Sequence, residues 1–513
     1  MIARPRPARR WLFRVVAVLL GLSVFGVAEA VCVVFDWGRP TQYDDPFVGF
    51  HRVQPLFVRD RGGRNYETAK SRRQFFARDA FPVRKGPDTF RAFCLGGSTV
   101  LGHPYWKETS FTTYLRMALE AAEPDRTWEV VNCGGVSYAS YRLVPILEEC
   151  LAYEPDLFII CTGHNEFLEE RTYGEIQRAS ELLAAPRRVV FRMRMFTLLR
   201  QAVLNLSGRS PGREVDPHQT LKTEVDALLD YREGLKAYHR DDEWRAGVVA
   251  HYEFNLRRMI DLAENAGIPV ILVRPPSNLC DAPPFKSEHR AGLTTGEGRE
   301  WQSLVDAARA AYRPDLERAV ELLRQAVEID GQHAGLWYEL GKCCETLAER
   351  EPLHAAEWRR QARDAFVAAR DEDICPLRIL SVMEAALARV ADETDTPLVD
   401  AHALLEARAR GGILGGPLLV DHVHPSPELG HPLIAGALAE EIERQGFVAL
   451  PAGWAERRDR LSREHYASLD TLYFLRGERR LENLEAWTKG EADGPHIDER
   501  LPAAVSDEDW RQR

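Results

Sequence analysis

The sequence predicts an α/β protein in which a parallel sheet is covered by helices on both faces. Five short apolar runs lack the alternation of polar and apolar residues that a half-exposed strand shows, and helical patterns separate them. Such runs are typical of strands covered on both faces, and the strand–helix–strand order is typical of a parallel sheet. Polar residues directly follow several of these runs. Because open parallel sheets bind ligands beyond the carboxyl ends of their strands, we expect a functional site at that edge.

The composition is that of a globular protein and leaves the function open. At about 100–200 residues per domain, 513 residues correspond to two or three folding units. The 78 acidic and 67 basic residues give a formal net charge of -11, which does not favour a nucleic-acid partner. The nine cysteines are too few for a disulfide scaffold, and their spacing shows no zinc pattern. The composition as a whole excludes collagen, coiled coils and multi-span membrane proteins.

The first 36 residues predict a membrane anchor or a signal sequence. Four arginines within residues 4–10 precede Val15–Phe35, a run of 21 residues whose only charge is Glu29. The run is long enough to cross a bilayer as a helix, and its basic flank predicts a cytoplasmic amino end. Alternatively, Ala28-Glu29-Ala30 resembles the processing site of a cleaved signal peptide. Both interpretations place the rest of the chain outside the cytoplasm, as a single-pass membrane protein or as a secreted one.

The strands and helices of the α/β pattern begin after a lead-in segment, residues 37–90. The candidate strands are Arg91–Gly97, Trp128–Gly134, Leu157–Gly163, Pro269–Arg274 and Pro397–Asp400. Between them, Ser110–Ala122 and Trp244–Ala266 have helical patterns, and Thr109-Ser110 is a suitable N-cap pair for the first of these.

Residues 300–374 interrupt this alternation with an almost purely helical pattern. Three groups of residues there repeat the spacing of paired helices: Ala319, Leu323 and Ala326; Trp337, Leu340 and Gly341; Ala362, Phe366 and Ala369. The pattern resembles a pair of tetratricopeptide repeats with an insertion around Glu349–His354, and the alternative is a plain helical hairpin. We predict that this segment forms a lid or a docking groove for a protein partner.

The first candidate functional motif is Gly96-Gly97-Ser98-Thr99, at the end of the first predicted strand. A hydroxyl in a turn between strand and loop, next to glycines, lets a substrate reach both the oxygen and the adjacent backbone N–H. The motif is not a Walker phosphate loop because no lysine follows it, and it lacks the GxGxxG pattern of dinucleotide sites. It also differs from the GxSxG elbow of α/β-hydrolases.

Three further motifs follow later in the chain. Asn132–Ser140 (NCGGVSYAS) offers exposed backbone N–H groups at its glycines, and Asn165, in the motif GHNE, offers an amide donor. Asp421 stands three residues before His424 on one predicted loop, where a carboxylate can hold the tautomer of an imidazole and stabilise its charged form. His422 and His424 would be a metal pair in another interpretation. No further ligand cluster accompanies them, so we predict neither a metal nor a cofactor.

In their order and their positions at strand ends, these four blocks resemble the SGNH (GDSL-like) hydrolase superfamily. The resemblance covers residues 91–280 and 375–445. It implies a flavodoxin-like sheet with strand order 2-1-3-4-5. By position, it also implies that Ser98 is the nucleophile, that His424 is the general base and that Asp421 orients it. The Ser98 N–H and the Asn165 amide would then belong to an oxyanion hole.

The second block departs from the pattern of the family. Counting from Asn132 without a gap puts Ser137 where the family has glycine, whereas a shift of two puts Gly135 there. A backbone donor tolerates either residue, so both Gly135 and Ser137 are candidates for the oxyanion hole. Asn165 is followed by Glu166, where the family usually has Asp.

The resemblance implies a serine esterase acting through an acyl-serine intermediate, and the N-terminal segment predicts that it is exported and membrane-anchored. Its substrate would be a small acyl ester or an acylated carbohydrate, such as an O-acetyl group of an envelope polysaccharide. An O-acetyltransferase is one alternative, because both reactions pass through acyl-Ser98, and a catalytically silent binding protein of the tetratricopeptide type is another. We expect Ser98→Ala and His424→Ala to abolish esterase activity and Asp421→Asn to impair it.

Residues near the four blocks complete the predicted site. We expect His103, Tyr105 and Arg274 to reach the substrate and Pro283–Lys286 to form part of the rim. These positions either follow the first block closely or lie in or after the fourth predicted strand.

The C-terminal part of the chain is a charged extension. Beyond Ala449 it is rich in Arg and Glu with a helical pattern to about Lys489, and the composition after that predicts a disordered tail. The predicted domains are the anchor or signal sequence (1–36), the lead-in (37–90), the first part of the hydrolase domain (91–299), the helical insertion (300–374), the second part of the hydrolase domain (375–448) and the C-terminal extension with its tail (449–513).

Overall fold

The structure, a computed structural model, describes residues 23, 25–32, 52–169, 220–221, 225, 227–231 and 234–489. The chain divides into two compact units, Met1–Gln54 with Arg171–Lys222 and Pro55–Glu170 with Thr223–Arg513. In the first unit, residues 25–32 are helical, and one short pair of parallel strands joins residues 52–53 to residues 220–221. Most of the predicted span Val15–Phe35 lies outside the described residues. Within the described ranges, no helix combines the length and apolar character needed to cross a bilayer.

The described strands are β1 (Arg52–Val53), β2 (Phe57–Arg59), β3 (Asn65–Thr68), β4 (Ala80–Pro82), β5 (Thr89–Gly96), β6 (Thr127–Gly134), β7 (Leu157–Cys161), β8 (Thr220–Leu221), β9 (Val270–Arg274) and β10 (Leu398–Asp400). The described helices are α1 (Ser98–Leu101), α2 (Phe111–Ala122), α3 (Ser140–Cys150), α4 (Leu228–Tyr231), α5 (Asp242–Asn265), α6 (Thr295–Ala311), α7 (Leu316–Ile329), α8 (Ala334–Arg350), α9 (Ala355–Asp371), α10 (Ser381–Glu393), α11 (Ala401–Glu406), α12 (Gly430–Arg444), α13 (Trp454–Ser468) and α14 (Thr471–Thr488).

A five-stranded parallel sheet forms the centre of the second unit. Its order is β10-β9-β7-β5-β6, and all four pairings are parallel. Counted along the chain, this order is 2-1-3-4-5, the order that the resemblance to SGNH hydrolases implies. Side chains of β5 and β7 such as Phe93 and Ile159 are fully buried, as expected for strands covered on both faces. β7 ends before the predicted Gly163, because Gly163 takes a φ of 140° and turns the chain out of the sheet.

Helices cover both faces of this sheet. On one face α2 packs against α12 and α13, and on the other α5 packs against α3 and α10. The predicted N-cap of α2 is present, since the Ser110 hydroxyl accepts the Thr112 N–H. α5 begins two residues before the predicted Trp244, because the Asp241 carboxylate accepts the Trp244 N–H and caps the helix earlier.

The described part of the predicted lead-in forms a small antiparallel sheet of β2, β3 and β4. Phe57 and Phe81 from this sheet contact Phe93 of β5, with ring centroids 6.5 and 5.4 Å apart. The Glu149 carboxylate accepts the backbone N–H groups of Leu56 and Phe57. This part of the lead-in is therefore packed onto the central sheet.

Four of the five helices between β9 and β10, α6 to α9, pack in sequence around a shared core. Ala319, Leu323 and Ala326 are buried in α7, on the face that the spacing predicts. Gly341 of α8 lies so close to the Phe366 ring of α9 that a Cβ there would collide with it. The segment is helical as predicted, while its assignment to tetratricopeptide repeats and its boundaries at 300 and 374 stay predictions.

The C-terminal extension is helical up to Thr488, close to the predicted Lys489. α13 packs against α2, where the Trp454 indole N–H donates to the Ala118 carbonyl at 2.8 Å. The predicted tail lies outside the described residues. α14 returns along the loop that follows α1, and its last turns reach the candidate site.

Candidate active site

Ser98 lies at the first turn beyond a central strand. β5 ends at Gly96, Gly97 is extended, and Ser98 begins the short helix α1. A Cβ on Gly97 would collide with the Asn165 amide nitrogen, so this glycine allows the amide to stand beside the serine. Ser98 is only 9% exposed. The hydroxyl therefore faces a nearly enclosed space at the carboxyl edge of the sheet.

His424 and Asp421 lie on one tight loop before α12. Both the Val423 and the His424 N–H groups donate to Asp421 Oδ1 at 2.8 Å. Asp421 Oδ2 lies 2.6 Å from His424 Nδ1. Burial alone would raise the pKa of Asp421, but the neighbouring His424 and these N–H groups hold it well below its usual value. Asp421 is thus a carboxylate that accepts the Nδ1–H of His424.

The other ring nitrogen of His424 faces the serine. His424 Nε2 lies 2.8 Å from Ser98 Oγ, across a sequence separation of 326 residues. Because Nδ1 carries the proton that Asp421 accepts, Nε2 is the acceptor for the Ser98 hydroxyl. Asp421, His424 and Ser98 consequently form one continuous chain of hydrogen bonds.

Asn278, in the loop after β9, holds the His424 loop in place. Its side-chain amide donates to the Asp421 carbonyl, and its backbone N–H donates to the His422 carbonyl, both at 2.9 Å. The buried Arg378 in turn donates to the Asn278 carbonyl at 2.8 Å. Sequence reasoning missed Asn278, although its position just beyond the fourth strand was an available signal.

In the second sequence block, Asn132–Ser140, one of the two candidate backbone N–H groups is already hydrogen-bonded and the other is free among the described residues. The Gly135 N–H donates to the Gly96 carbonyl at 3.0 Å, which continues the pairing of β5 with β6. The prediction of Gly135 as an oxyanion-hole donor is therefore wrong, because its N–H already takes part in the pairing of the two strands. In the described part of the chain, the N–H groups of Ser137 and Ser98 make no hydrogen bond, and both residues border the same cleft.

The backbone conformation of Ser137 also favours Ser137 over Gly135 as the donor for the oxyanion hole. Its φ of 62° is left-handed, a conformation that glycine adopts without strain. The ungapped alignment puts Ser137 where the family has glycine, and the φ matches that position. Asn165 completes the set of donors, since one hydrogen of its amide goes to the Tyr138 carbonyl at 3.1 Å and the other is left for a ligand.

The cleft above Ser98 is small and largely apolar. Its volume is about 30 Å³. Six of its twelve lining residues are apolar: Val136, Leu168, Leu377, Val423, Leu484 and Trp487. Leu484 and Trp487 come from α14 and were missed by sequence reasoning. The signal was a tryptophan within an otherwise charged helical segment.

Of the predicted rim residues, only His103 borders the cleft. Its ring centroid lies 5.2 Å from that of His424. Tyr105 instead packs against Gly477 and Phe474 of α14. Arg274 pairs with Glu384 and Asp400, so it is engaged at the sheet edge. The predicted contacts of Tyr105 and Arg274 with substrate are therefore corrected.

The predicted rim segment Pro283–Lys286 adjoins His422, one of the residues that line the cleft. Phe285 contacts the ring of His422, with centroids 5.0 Å apart, and the Lys286 ammonium donates to the Tyr238 carbonyl. None of the four residues lines the cleft itself. The segment therefore packs against a residue of the cleft wall, and its place on the rim stays a prediction.

Three further imidazoles surround His424 and are held neutral by burial. Burial lowers the pKa of His422 to about 4 and that of His431 to about 3. Burial also brings the pKa of His164 well below its usual value, and its Nδ1 accepts the Ile379 N–H. His422 Nδ1 stands 3.8 Å from Asp421 Oδ1, outside hydrogen-bond distance. Among the described residues, no group of three or more His, Cys, Asp or Glu side chains could hold a metal ion.

Several solved structures are similar to this chain, although distantly. An acetylxylan esterase from Geobacillus stearothermophilus is 14% identical and matches over 69% of this chain and 94% of its own, with a TM-score of 0.29. A putative lipolytic protein of the G-D-S-L family from Desulfitobacterium hafniense is 12% identical, with coverages of 68% and 98% and a TM-score of 0.28. A lipase/acylhydrolase from Enterococcus faecalis is 13% identical, with coverages of 71% and 98% and a TM-score of 0.29. No protein-family model and no curated protein matches the chain. With TM-scores below 0.5, these likenesses do not assign a function.

Proposed function

We propose that this chain, whose sheet order and four sequence blocks have the SGNH arrangement, is a serine esterase that acts through an acyl-Ser98 intermediate. The observation that carries the proposal is the continuous Asp421–His424–Ser98 chain, with distances of 2.6 and 2.8 Å. Such a chain is what a neutral hydroxyl needs to become a nucleophile. It ends in a cleft that also holds three N–H donors.

His424 acts as the general base in the first half of the reaction. A serine hydroxyl is a weak nucleophile, so His424 Nε2 takes its proton while Ser98 Oγ bonds to the ester carbonyl carbon. Proton transfer of this kind contributes roughly 10²–10⁴-fold to the rate. Asp421 keeps the imidazole in the required tautomer and stabilises the imidazolium that forms.

The donors of the cleft stabilise the charge that develops on the substrate. The carbonyl oxygen becomes negative in the tetrahedral intermediate, and the N–H groups of Ser98, Ser137 and the Asn165 amide face that position. Each such donor is worth about 10²–10³-fold. When the bond from the carbonyl carbon to the alcohol oxygen breaks, His424 returns the proton to the leaving alcohol. Water then attacks the acyl group with His424 again as base, and the acid and Ser98 are released.

The substrate we propose is an ester of a short acyl group, such as acetate. The volume of about 30 Å³ and the apolar lining of the cleft support a small acyl group. Because the predicted N-terminal segment directs the chain out of the cytoplasm, we propose an O-acetylated envelope carbohydrate as the alcohol component.

An O-acetyltransferase is the second candidate, and the burial of the site favours it. Transfer to a sugar hydroxyl requires that water is kept from the acyl-serine, and Ser98 is only 9% exposed. Supplying an acetyl donor with and without an oligosaccharide acceptor separates the two reactions. Acetate release that is independent of the acceptor supports the esterase, and acetylated oligosaccharide supports the transferase.

Hydrolysis of p-nitrophenyl acetate by the Ser98→Ala variant tests the assignment. We expect wild-type hydrolysis to fall to background in this variant, with an unchanged unfolding temperature. A fluorophosphonate probe should label Ser98 in the wild type and nothing in the variant. Ser303→Ala, on the exposed surface of α6, is the matched control and should hydrolyse the ester normally. Normal hydrolysis by Ser98→Ala would refute the proposal.

We further propose that Val15–Phe35 anchors the protein in the membrane with the esterase outside the cytoplasm. The length of the run and its basic flank support this. A reporter enzyme active only outside the cytoplasm, fused behind residue 36, should be active, and the chain should sediment with membranes. A soluble chain that begins at residue 31 would show instead that the segment is a cleaved signal. The partner-docking role of the helical insertion stays a prediction.

A further inference from the structure

One face of α14 carries five residues that contact the body of the protein. Tyr473, Gly477, Arg480, Leu484 and Trp487 follow one another at intervals of four, three, four and three residues. Residues at this spacing lie on one face of a helix. The opposite face is open to solvent, where Leu475 is 54% exposed. α14 therefore lies on the molecule along a defined stripe.

The first part of this stripe binds the loop that follows α1. The Tyr473 hydroxyl and the Thr109 hydroxyl share a hydrogen bond of 2.8 Å, and Arg480 donates to the Pro104 carbonyl at 2.9 Å. The Arg480 guanidinium also lies over the Trp106 ring, 4.9 Å from its centroid. Since this loop continues directly from the helix of Ser98, the position of α14 is fixed relative to the nucleophile.

The last part of the stripe enters the wall of the cleft. Leu484 and Trp487 are 5% and 4% exposed, and both line the space above Ser98. The indole N–H of Trp487 donates to Asp230 Oδ1 at 2.5 Å, which fixes the orientation of the ring. A C-terminal extension thus supplies one wall of the reaction space.

We propose that Leu484 and Trp487 limit the acyl group of the substrate to about the size of acetyl. The proposal rests on the proposed esterase function. The cleft is small, about 30 Å³, and Leu484 and Trp487 form part of its wall. An acetyl group has three non-hydrogen atoms, whereas the two additional carbons of a butyryl group extend further and should meet this wall. The wall is apolar, which suits an acyl methyl rather than the hydroxyls of a sugar.

Rates for p-nitrophenyl acetate, butyrate and hexanoate in Trp487→Ala and Leu484→Ala test this inference. We expect the ratio of kcat/KM for butyrate over acetate to rise at least tenfold in Trp487→Ala, and in the same direction in Leu484→Ala. Trp487→Phe keeps an aromatic ring in the wall and should keep the preference for acetate. Leu475→Ala, on the exposed face of the same helix, is the matched control and should leave every ratio unchanged. Thermal unfolding shows which variants are folded.

An unchanged butyrate-to-acetate ratio in the folded alanine variants would overturn the inference. If the rates for every chain length rise equally, α14 controls access rather than acyl size. If only the discrimination among acetates of different alcohols changes, the two side chains contact the alcohol rather than the acyl group. Failure of the proposed esterase function has a different signature, because the wild type would then hydrolyse none of the esters, or Ser98→Ala would hydrolyse them equally.

Discussion

A single carboxylate oxygen decides which face of the His424 imidazole meets the nucleophile. Asp421 Oδ2 accepts the Nδ1–H, so the unprotonated Nε2 is directed at Ser98. The same carboxylate is held in place by two backbone N–H groups of its own loop. Because these contacts fix the carboxylate against Nδ1, they favour the tautomer of His424 that carries its proton on Nδ1.

Asp421→Asn should lower kcat for p-nitrophenyl acetate by about 10³–10⁴-fold while the fold is retained. The Asn amide can donate its own N–H to Nδ1, which would place the imidazole proton on Nε2. A protonated Nε2 cannot accept the proton of Ser98. Steady-state kinetics with a circular-dichroism check would measure the effect. A variant within tenfold of the wild type would show that Asp421 does not set the tautomer.

Asn165→Ala should reduce kcat by about 10²–10³-fold and leave KM nearly unchanged. The reason is that its free N–H meets the carbonyl oxygen most strongly once that oxygen carries charge. Kinetics with the acetate ester separate kcat from KM. If KM rises while kcat is unchanged, the amide binds the ground state and does not belong to the oxyanion hole.

The sequence predicts the residue types of the site better than it predicts which backbone groups remain free. Asp421 and His424 are close because they share one loop, so their pairing could be predicted locally. The contact between Ser98 and His424 spans 326 residues and followed only from the family pattern. Gly135 and Ser137 were indistinguishable, because the use of the Gly135 N–H depends on how far the pairing of β5 with β6 extends.

At the scale of elements, strands and helices followed from local patterns, whereas their docking did not. The apolar runs predict the five central strands within about two residues at either end. An amphipathic stripe likewise predicts α14 as a helix, but the surface that receives the stripe is set by tertiary contacts. The placement of Trp487 beside Ser98 could therefore not be predicted from the chain alone.

Gly477→Ala should loosen the contact of α14 with the loop that follows α1. A Cβ at Gly477 would collide with the Tyr105 ring, which also contacts Phe474 of the same helix. Overpacking of this kind costs about 1–3 kcal/mol, which exceeds the gain of roughly 0.5–1 kcal/mol from replacing a helical glycine. Hydrogen exchange of the α14 amides should accelerate, and Leu475→Ala should exchange like the wild type. Unchanged protection in Gly477→Ala would contradict the tight contact.

At the scale of the whole molecule, the site exists only when distant segments fold together. Its groups come from the ends of β5, β6 and β7, from the loops after β9 and before α12, and from α14. Acid should destabilise this arrangement, because burial lowers the pKa values of three imidazoles near His424, those of His164, His422 and His431. The buried carboxyls Glu148 and Asp373 act in the opposite direction, since burial raises their pKa values to about 8 and about 6.

Whether stability rises or falls with pH depends on which state, folded or unfolded, binds more protons. Burial lowers the pKa of His431 from 6.5 to about 3, so between those values the unfolded chain holds a proton that the folded chain does not. Stability therefore falls as the pH decreases through this window, by up to about 1.4 kcal/mol per pH unit for one group. Protonation of Glu148 and Asp373 instead stabilises the folded protein as the pH falls. The stability of the whole protein therefore combines opposite dependences on pH. The difference in unfolding free energy between the wild type and a variant that lacks one histidine isolates the contribution of that histidine.

His431→Asn should become more stable relative to the wild type as the pH is lowered from 6.5 to 4. The Asn side-chain oxygen can still accept the Phe111 N–H that His431 Nδ1 accepts, so the variant should fold. Without the imidazole, the difference in unfolding free energy should grow by about 3 kcal/mol over this range. Urea unfolding at several pH values measures it, and His354→Asn, on the exposed connection before α9, should follow the wild type. A difference that does not change with pH would mean that His431 keeps its proton in the folded protein, and the neutral surroundings inferred for His424 would then be wrong.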